Sequence, residues 1–385
     1  MIAYTNYQSD PRVIREAEAA VTAGFAVDFL ALRRAGEPAV EDLRGVRVFH
    51  LAQSRYRGSG RLQYLLAYLA FFLRCLFKTT FLFVKRRYRV IHVNNMPDFL
   101  VFCTVIPKIF GAKVVLDIHD PMPNTFASKF RSGERGFFYR ILLWQELLSA
   151  RYSDRVVTVH DPVKDAVLVR HGLPAASIHV ITNFPDNELF ANRETYHVNG
   201  QVRLVFHGTI IERAGIRNLI IALSRVQHRE KIRARIIGEG DFSRELQRLI
   251  SDQALEDVVE FDNRNYPVHE IPRRIADCNV GVVPLEISSI TNYALPVKLL
   301  EYIAMGLPVI TVRSAAIRHY FRDEDCLFYD WDDVESLQRL LDAVAEQPQL
   351  LERYHERAVA LRDKFSWRTE KAKYVALLKD LAAKP

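Results

Sequence analysis

The sequence predicts an α/β protein built as two doubly wound parallel-sheet domains, and three observations carry that prediction. Short apolar, β-branched runs alternate with helical patterns from end to end: AVDFLAL, VRVFHL, VIHVNN, AKVVLDIHD, RVVTVH and IHVITN, then RLVFHG, RARIIG, VVEFD, VGVVP and LPVITV. Such short buried strands, separated by longer helical segments, are the signature of parallel sheets covered on both faces. Size is the second observation, because 385 residues with 49% hydrophobic and 26% charged content can bury two cores. The third is the polar, aperiodic stretch NFPDNELFANRETYHVNG, from Asn183 to Gly200, after which a fresh strand begins. The predicted division is 1–185 and 186–366, followed by a terminal amphipathic helix within 367–385 that starts near Trp367.

At the start of the chain, Asp10 and Pro11 read as the cap and first turn of the helix VIREAEAAVTAG, which Gly24 ends. No charged n-region, short apolar core and cleavage site open the sequence, so a secretory signal is not expected. Cys75, Cys103, Cys278 and Cys326 are far apart and form no zinc-type cluster, which suits small buried thiols in a reducing compartment. The expected working place is cytoplasmic. No repeat of fixed period and no low-complexity tract is present.

Net charge is +7, and its placement matters more than its size. Segment 55–89 holds nine basic residues (Arg55, Arg57, Arg61, Arg74, Lys78, Lys85, Arg86, Arg87 and Arg89) and no acid, leaving about −2 for the rest of the chain. A basic segment of this kind implies a polyanionic partner, nucleic acid or an anionic membrane. Leu and Phe dominate between the charges, in LQYLLAYLAFFLRCLFKTTFLFV, which disfavours nucleic acid. As a helix this stretch would be about 34 Å long, enough to span a bilayer. Arg74 at its centre opposes spanning, and Gln63, Ala67, Ala70, Arg74, Lys78 and Lys85 share one narrow face. The expectation is a peripheral attachment to anionic lipid through Arg74, Lys78, Lys85, Arg86 and Arg87, with an internal helix whose cations snorkel outward as the alternative.

Three segments of the second half carry the candidate chemistry, and in a doubly wound fold they would meet at the carboxyl ends of the strands. In YALPVKLLEYIAMGLPVI, Pro296 suits a first helical turn and Gly306 a left-handed stop. The helix N-terminus favours a phosphate, Lys298 adds a cation, and Glu301, one turn on, can accept two ribose hydroxyls. An ordinary surface Lys/Glu pair is the competing interpretation. In FHGTIIERAGIRNLIIAL, Gly208 permits close approach of a phosphate and Arg213 precedes a new helix, as a diphosphate clamp or an exposed loop arginine. In IIGEGDF, Gly238 and Gly240 could admit a nucleotide or make a plain turn. No GxGxxG follows the first strand, which argues against a hydride-transfer enzyme.

In this order the segments resemble glycosyltransferase family 4, the retaining GT-B enzymes that use nucleotide-sugar donors. DPRVIREAEAAVTAGFAVDFLAL resembles the family's first strand-helix-strand, DIHDPMP its acceptor-side loop and ITNFPDNELF its interdomain link. HGTIIERAG, IIGEGD, ADCNVGVVPL and ALPVKLLEYIAMGLPVI resemble the donor-domain series. The resemblance implies a GT-B fold, two Rossmann-like domains facing each other across a cleft, with the terminal helix packing back toward the first. It implies donor contacts at Gly208, Thr209, Arg213, Gly238, Glu239, Gly240, Tyr293, Lys298 and Glu301, and acceptor-side contacts at Asp117, His119 and Asp120. Catalytic roles fall to His119, Arg213 and Lys298, with no metal and no cofactor. Many members carry two glutamates seven residues apart; Glu301 matches the second, but Tyr293 stands at the first. Thr209 and Ala214 stand where the family usually has its clamping arginine and lysine, which leaves Arg213 and Lys298 as the available cations.

The reaction so implied is transfer of a hexosyl or related group to a lipid-linked or saccharide acceptor. Asp117 is expected to support the loop, and Glu146 to orient the site or to lie on a helix surface. A GT-B epimerase or hydrolase of nucleotide sugars, and a non-catalytic membrane scaffold with a degenerate donor site, are the alternatives.

Overall fold

The computed structural model describes residues 1–56, 60–129, 136–191, 196, 198, 200–289 and 291–383. Arg57, part of the basic segment, and residues 192–195, 197 and 199 of the expected 183–200 link lie outside the described residues. The chain forms two compact units, Met1–Asn183 with Glu370–Pro385, and Phe184–Thr369. The division thus falls two residues before the expected one, and the terminal helix, Trp367–Ala383, belongs to the first unit from Glu370 onward.

In the first unit, β1 (Val27–Leu32), β2 (Val40–Leu43) and β3 (Val46–Leu51) pair in the order β1-β3-β2, and β4 (Val90–Asn94), β5 (Lys113–Ile118), β6 (Arg155–Thr158) and β7 (Ile178–Val180) pair in sequence. Ile2 joins the two sets by bridging Leu30 of β1 and Val93 of β4. All pairings are parallel except β2 on β3, an antiparallel edge that the apolar-run pattern does not reveal because β2 is half exposed. The first helix, Pro11–Thr22, starts at Asp10 and Pro11 as expected, although the Asp10 side chain makes no capping bond. Gly24 stops it at φ +92°, where Phe25 N–H reaches the Ala20 carbonyl at 3.1 Å.

The second unit is one six-stranded sheet in the order β10-β9-β8-β11-β12-β13, all parallel. Its strands are β8 (Val202–His207), β9 (Ile232–Ile237), β10 (Val259–Asp262), β11 (Val280–Val283), β12 (Val309–Val312) and β13 (Leu327–Tyr329). This is the doubly wound order whose direction reverses between β8 and β11, and ligands bind outside the strand ends at such a reversal. Every residue of β11 and β12 is buried, as a strand covered on both faces must be.

Candidate functional site

The residues singled out from sequence fall into two groups, one on each unit. On the second unit, β8 ends at His207, and Gly208 follows at φ +114°. A Cβ there would stand 3.1 Å from Lys298 Nζ, so the glycine lets the lysine lie directly against the backbone. Three more glycines press the neighbouring loops together. A Cβ at Gly215 (φ +73°) would meet the Pro284 carbonyl, one at Gly238 (φ +144°) the Gly208 carbonyl, and one at Gly240 the Ile210 carbonyl. Gly238→Ala combines a left-handed φ with a backbone clash, and it is expected to cost about 3 kcal/mol or more, read as a fall in the thermal midpoint. Gly238 and Gly240 are therefore required by the close approach of the β8 and β9 loops.

Lys298 and Glu301 stand on the helix Val297–Ala304. Pro296 is its N-cap in extended conformation, one place before the predicted first turn, and no side chain caps the N–H groups that follow. The predicted stop at Gly306 (φ +71°) is a full Schellman arrangement: Gly306 N–H donates to the Ile303 carbonyl and Leu307 N–H to that of Tyr302, both at 2.9 Å. Lys298 Nζ sits 3.6 Å from the centroid of the Phe206 ring. Burial lowers the Lys298 ammonium to about 7, opposed by the charge of Glu301. Glu301 is buried, and its Oε2 lies 3.3 Å from Nε2 of His207. Burial and the nearby Lys298 push His207 down to about 3, so it is neutral at physiological pH. Below it, the Tyr302 hydroxyl accepts the His207 backbone N–H at 3.1 Å. Lys298 and Glu301 are thus no surface pair: each is embedded at the mouth of β8.

Arg213 lies in the short turn Glu212–Ala214, exposed, and its carbonyl accepts the Glu286 N–H at 3.1 Å. That bond and Gly215 pin the arginine's loop to the segment after β11, beside the reversal point. Thr209 is exposed as well. Glu239 is occupied with Asn265, donating its N–H to Oδ1 at 3.3 Å and accepting from Nδ2 at 3.2 Å. Tyr293 ends the turn Thr291–Tyr293, half-buried, while its neighbour Asn292 accepts the Ala315 N–H at 2.9 Å.

On the first unit, β5 carries Asp117 into the core and leaves His119 just beyond its end. His119 Nε2 lies 2.7 Å from Asp117 Oδ2, and His92 Nε2 of β4 lies 3.4 Å from the same oxygen. Burial alone would raise the Asp117 carboxyl, but the two imidazoles hold it well below the usual carboxylate range. Asn95, which sequence reasoning missed, fastens the loop: Oδ1 accepts the His119 N–H at 3.0 Å, and Nδ2 donates to the Asp120 carbonyl at 2.8 Å and to Asp98 Oδ1 at 2.9 Å. The Asp120 side chain is exposed. Glu146 is no surface acid: it is buried, with Oε1 2.5 Å from His171 Nδ1, and after burial itself its charge is the next cause that pushes the Asp98 carboxyl up to about 8.

The basic, apolar segment forms one helix, Arg61–Arg86, long and apolar enough to cross a membrane. Phe71, Cys75, Thr79, Leu82 and Phe83 are buried against the unit, while Leu62, Leu65, Leu66, Leu69, Leu73, Phe77, Phe81 and Val84 are exposed, Phe77 by 72%. Of the five cations expected to meet lipid, Arg74, Lys85, Arg86 and Arg87 are exposed and Lys78 is half-buried. Arg74 donates to Gln53 Oε1 at 3.0 Å, Lys78 lies 4.6 Å from the Phe49 ring centroid, and Arg86 pairs with Asp28 at 3.1 Å. Lys85 and Arg87 are exposed at the helix end, over Phe81 and Phe83. A second helix, Phe137–Tyr152, packs on the same short segment, Asp98–Thr104, and exposes Phe137, Phe138, Ile141 and Trp144.

Two parallel-sheet units, the second with a cation and a buried carboxylate at its reversal point, match the GT-B class. A Glycosyltransferase Family 4 model matches residues 12–189 and a Glycosyl transferases group 1 model matches residues 190–360. The chain belongs to glycosyltransferase family 4. It is 28% identical over 156 residues to "Putative colanic acid biosynthesis glycosyltransferase WcaL" of Escherichia coli (strain K12), a match covering 39% of this chain and 37% of that one. The matched region therefore spans little more than a third of that relative. Among solved structures, sucrose-phosphate synthase from Thermosynechococcus elongatus superposes with a TM-score of 0.76 at 19% identity, covering 99% of both chains. Anabaena HepE, solved in complex with UDP and glucose, gives 0.71 at 15% identity over 98% of both. At these identities the two structures establish the fold.

Proposed function

We propose that the protein is a retaining glycosyltransferase that moves a sugar from a nucleoside diphosphate sugar to a lipid-linked or saccharide acceptor, in surface polysaccharide assembly at the cytoplasmic membrane face. The observation that carries this reading is Lys298 lying against Gly208 with Glu301 embedded beside it. One cation, an uncapped helix start and one buried hydroxyl acceptor meet at the strand end where a doubly wound sheet takes its ligand. The HepE complex with UDP and the colanic acid relative agree in donor class and pathway type.

In this reading Glu301 binds the ribose, and Lys298, Arg213 and the helix N-terminus stabilise charge developing on the departing diphosphate, so the chemistry needs no metal. Gly208, Thr209, Gly238, Glu239, Gly240 and Tyr293 shape the donor site. Asp117 is buried and tied to two imidazoles, which unfits it as a nucleophile. Retention is accordingly assigned to front-face attack, with the leaving phosphate taking the acceptor proton and His119 hydrogen-bonding a hydroxyl or that phosphate. Peripheral membrane attachment is supported by the exposed Leu and Phe face of helix Arg61–Arg86, which is anchored in the protein through Phe71, Cys75, Thr79, Leu82 and Phe83.

Thermal unfolding against UDP-, GDP-, ADP- and dTDP-sugars, with and without chelator, tests this. The expected result is a selective stabilisation that survives chelation. No shift with any nucleotide would sink the transferase in favour of the scaffold, and donor consumption without an acceptor would favour the hydrolase or epimerase.

A further inference from the structure

The large apolar side chains left in water gather on one face of the first unit. Its strands run β2-β3-β1, then Ile2, then β4 to β7. The connections from β3 to β4, β4 to β5 and β5 to β6 therefore all step across the sheet in one direction, and right-handed crossovers that step one way put their helices on one side. Those helices are Arg61–Arg86, the short pair Asp98–Thr104 and Val105–Ile109, and Phe137–Tyr152. Half-buried Phe99 and Phe102 join the two long ones: Phe72 meets Phe99 with ring centroids 5.8 Å apart, and Phe102 meets Tyr152 at 5.0 Å. In the second unit, by contrast, Val359 is the only large apolar side chain among the described residues that stands exposed.

On helix Phe137–Tyr152 the exposed residues Phe137, Ile141, Trp144 and Leu148 recur at i, i+4, i+7 and i+11, which makes a single stripe. Exposed Arg140 and Arg151 lie along one edge of it. The only acid of this helix, Glu146, is buried, and helix Arg61–Arg86 has none. An apolar stripe with a tryptophan, bordered by cations and free of exposed carboxylates, is the composition of a helix that lies in the interface of an anionic bilayer. A second copy of the chain fits this face poorly, because it would set cations against cations with no carboxylate between them.

We propose that helix Phe137–Tyr152 is a second lipid-inserting element, so that the first unit docks on an anionic bilayer through two helices held on one face. The proposal rests on the membrane attachment assigned above to helix Arg61–Arg86 and deepens it. Trp144 then enters the boundary between headgroups and acyl chains, while Arg140 and Arg151 reach lipid phosphates.

Trp144 reads the insertion directly. Its emission, isolated by difference from Trp144→Phe, is expected to shift to the blue on phosphatidylglycerol vesicles and to be quenched when their acyl chains carry bromine. The combined substitution Phe137→Ser, Ile141→Ser and Trp144→Ser is expected to lower partitioning onto those vesicles by more than about 30-fold. Its thermal midpoint should stay where it is, since the three side chains are already in water. An unquenched Trp144 on vesicles that bind the wild type, or equal partitioning of triple variant and wild type, overturns the second element. In that case a loss of binding in Leu69→Glu, Phe77→Glu and Phe81→Glu combined leaves attachment through helix Arg61–Arg86 standing. A wild type that ignores both neutral and anionic vesicles removes the two readings together. A dimer in sedimentation that the serine variant dissolves overturns the proposal in favour of a second copy. If the serine variant does not fold, the quenching of wild-type Trp144 decides alone.

Discussion

Lys298→Ala is expected to lower kcat/KM for sugar transfer by about 10²- to 10³-fold while the chain still folds, the loss typical of removing one preorganised donor to a developing anion. Lys298 is partly buried against the Phe206 ring, and its ammonium is lowered to about 7. An empty site therefore holds a lysine that is largely neutral above pH 7. Binding a diphosphate restores the charge, because the anion favours the ammonium, so the ligand takes up a proton as it binds. By linkage its affinity must fall as pH rises through 7, by up to tenfold per unit until the pKa of the occupied site is passed. A nucleotide sugar is the right probe, since its diphosphate lacks the terminal ionisation that a free nucleotide shows near pH 6. Lys298→Arg, charged throughout, should bind with a flat profile from pH 7 to 9. Calorimetric titration across that range decides the matter: a flat wild-type profile would mean that the lysine does not face the diphosphate.

The second large effect concerns the membrane. Leu69, Phe77 and Phe81 are 45%, 72% and 53% exposed on the outer side of helix Arg61–Arg86. Burying a Leu or Phe is worth about 1.5–3 kcal/mol, so replacing all three by Glu should reduce partitioning onto anionic vesicles by more than about 100-fold. The side chains are already in water, so stability should barely change. Vesicle co-sedimentation of wild type and triple variant, with neutral and anionic lipid, reads the outcome. Equal binding by the two proteins would show that another surface makes the contact; a wild type that ignores both lipids would remove the membrane from the proposal. The exposed Lys85 and Arg87 are each expected to add about 1 kcal/mol with anionic lipid, a contribution that salt suppresses.

Much of this was legible in the sequence where local rules act. Gly24 and Gly306 ended their helices as their residue type requires, and the apolar runs became the buried strands. Lys298 and Glu301 could be placed on one helical face because their spacing fixes it. Non-local features were not legible. Half-exposed β2 offers no apolar run, and the bridging of Ile2 between β1 and β4 depends on strands some thirty and ninety residues away. The same holds for the long helix: its projection gathers Arg74 and Lys78 correctly, yet no projection says which face turns inward. Gln53 and Phe49, supplied by the chain just past β3 and by β3 itself, engage those two side chains, although Arg74 stays exposed. Buried Glu16 escaped notice because nothing in VIREAEAA reveals that His92 and Asp117 lie beside it.

The terminal helix gives the first unit a peculiar dependence on synthesis order. Glu370 accepts the Thr182 N–H at 2.9 Å and Tyr374 closes on His92, so residues at both ends of the chain complete one core. A ribosome that has finished Asn183 has not yet made that closing piece; the whole second unit must be translated first. Until then His92 lacks its hydroxyl partner and the faces that Leu377, Leu378 and Leu381 later bury have no cover. The nascent first unit is thus the part that waits, and early termination anywhere in the second half would damage the half already built.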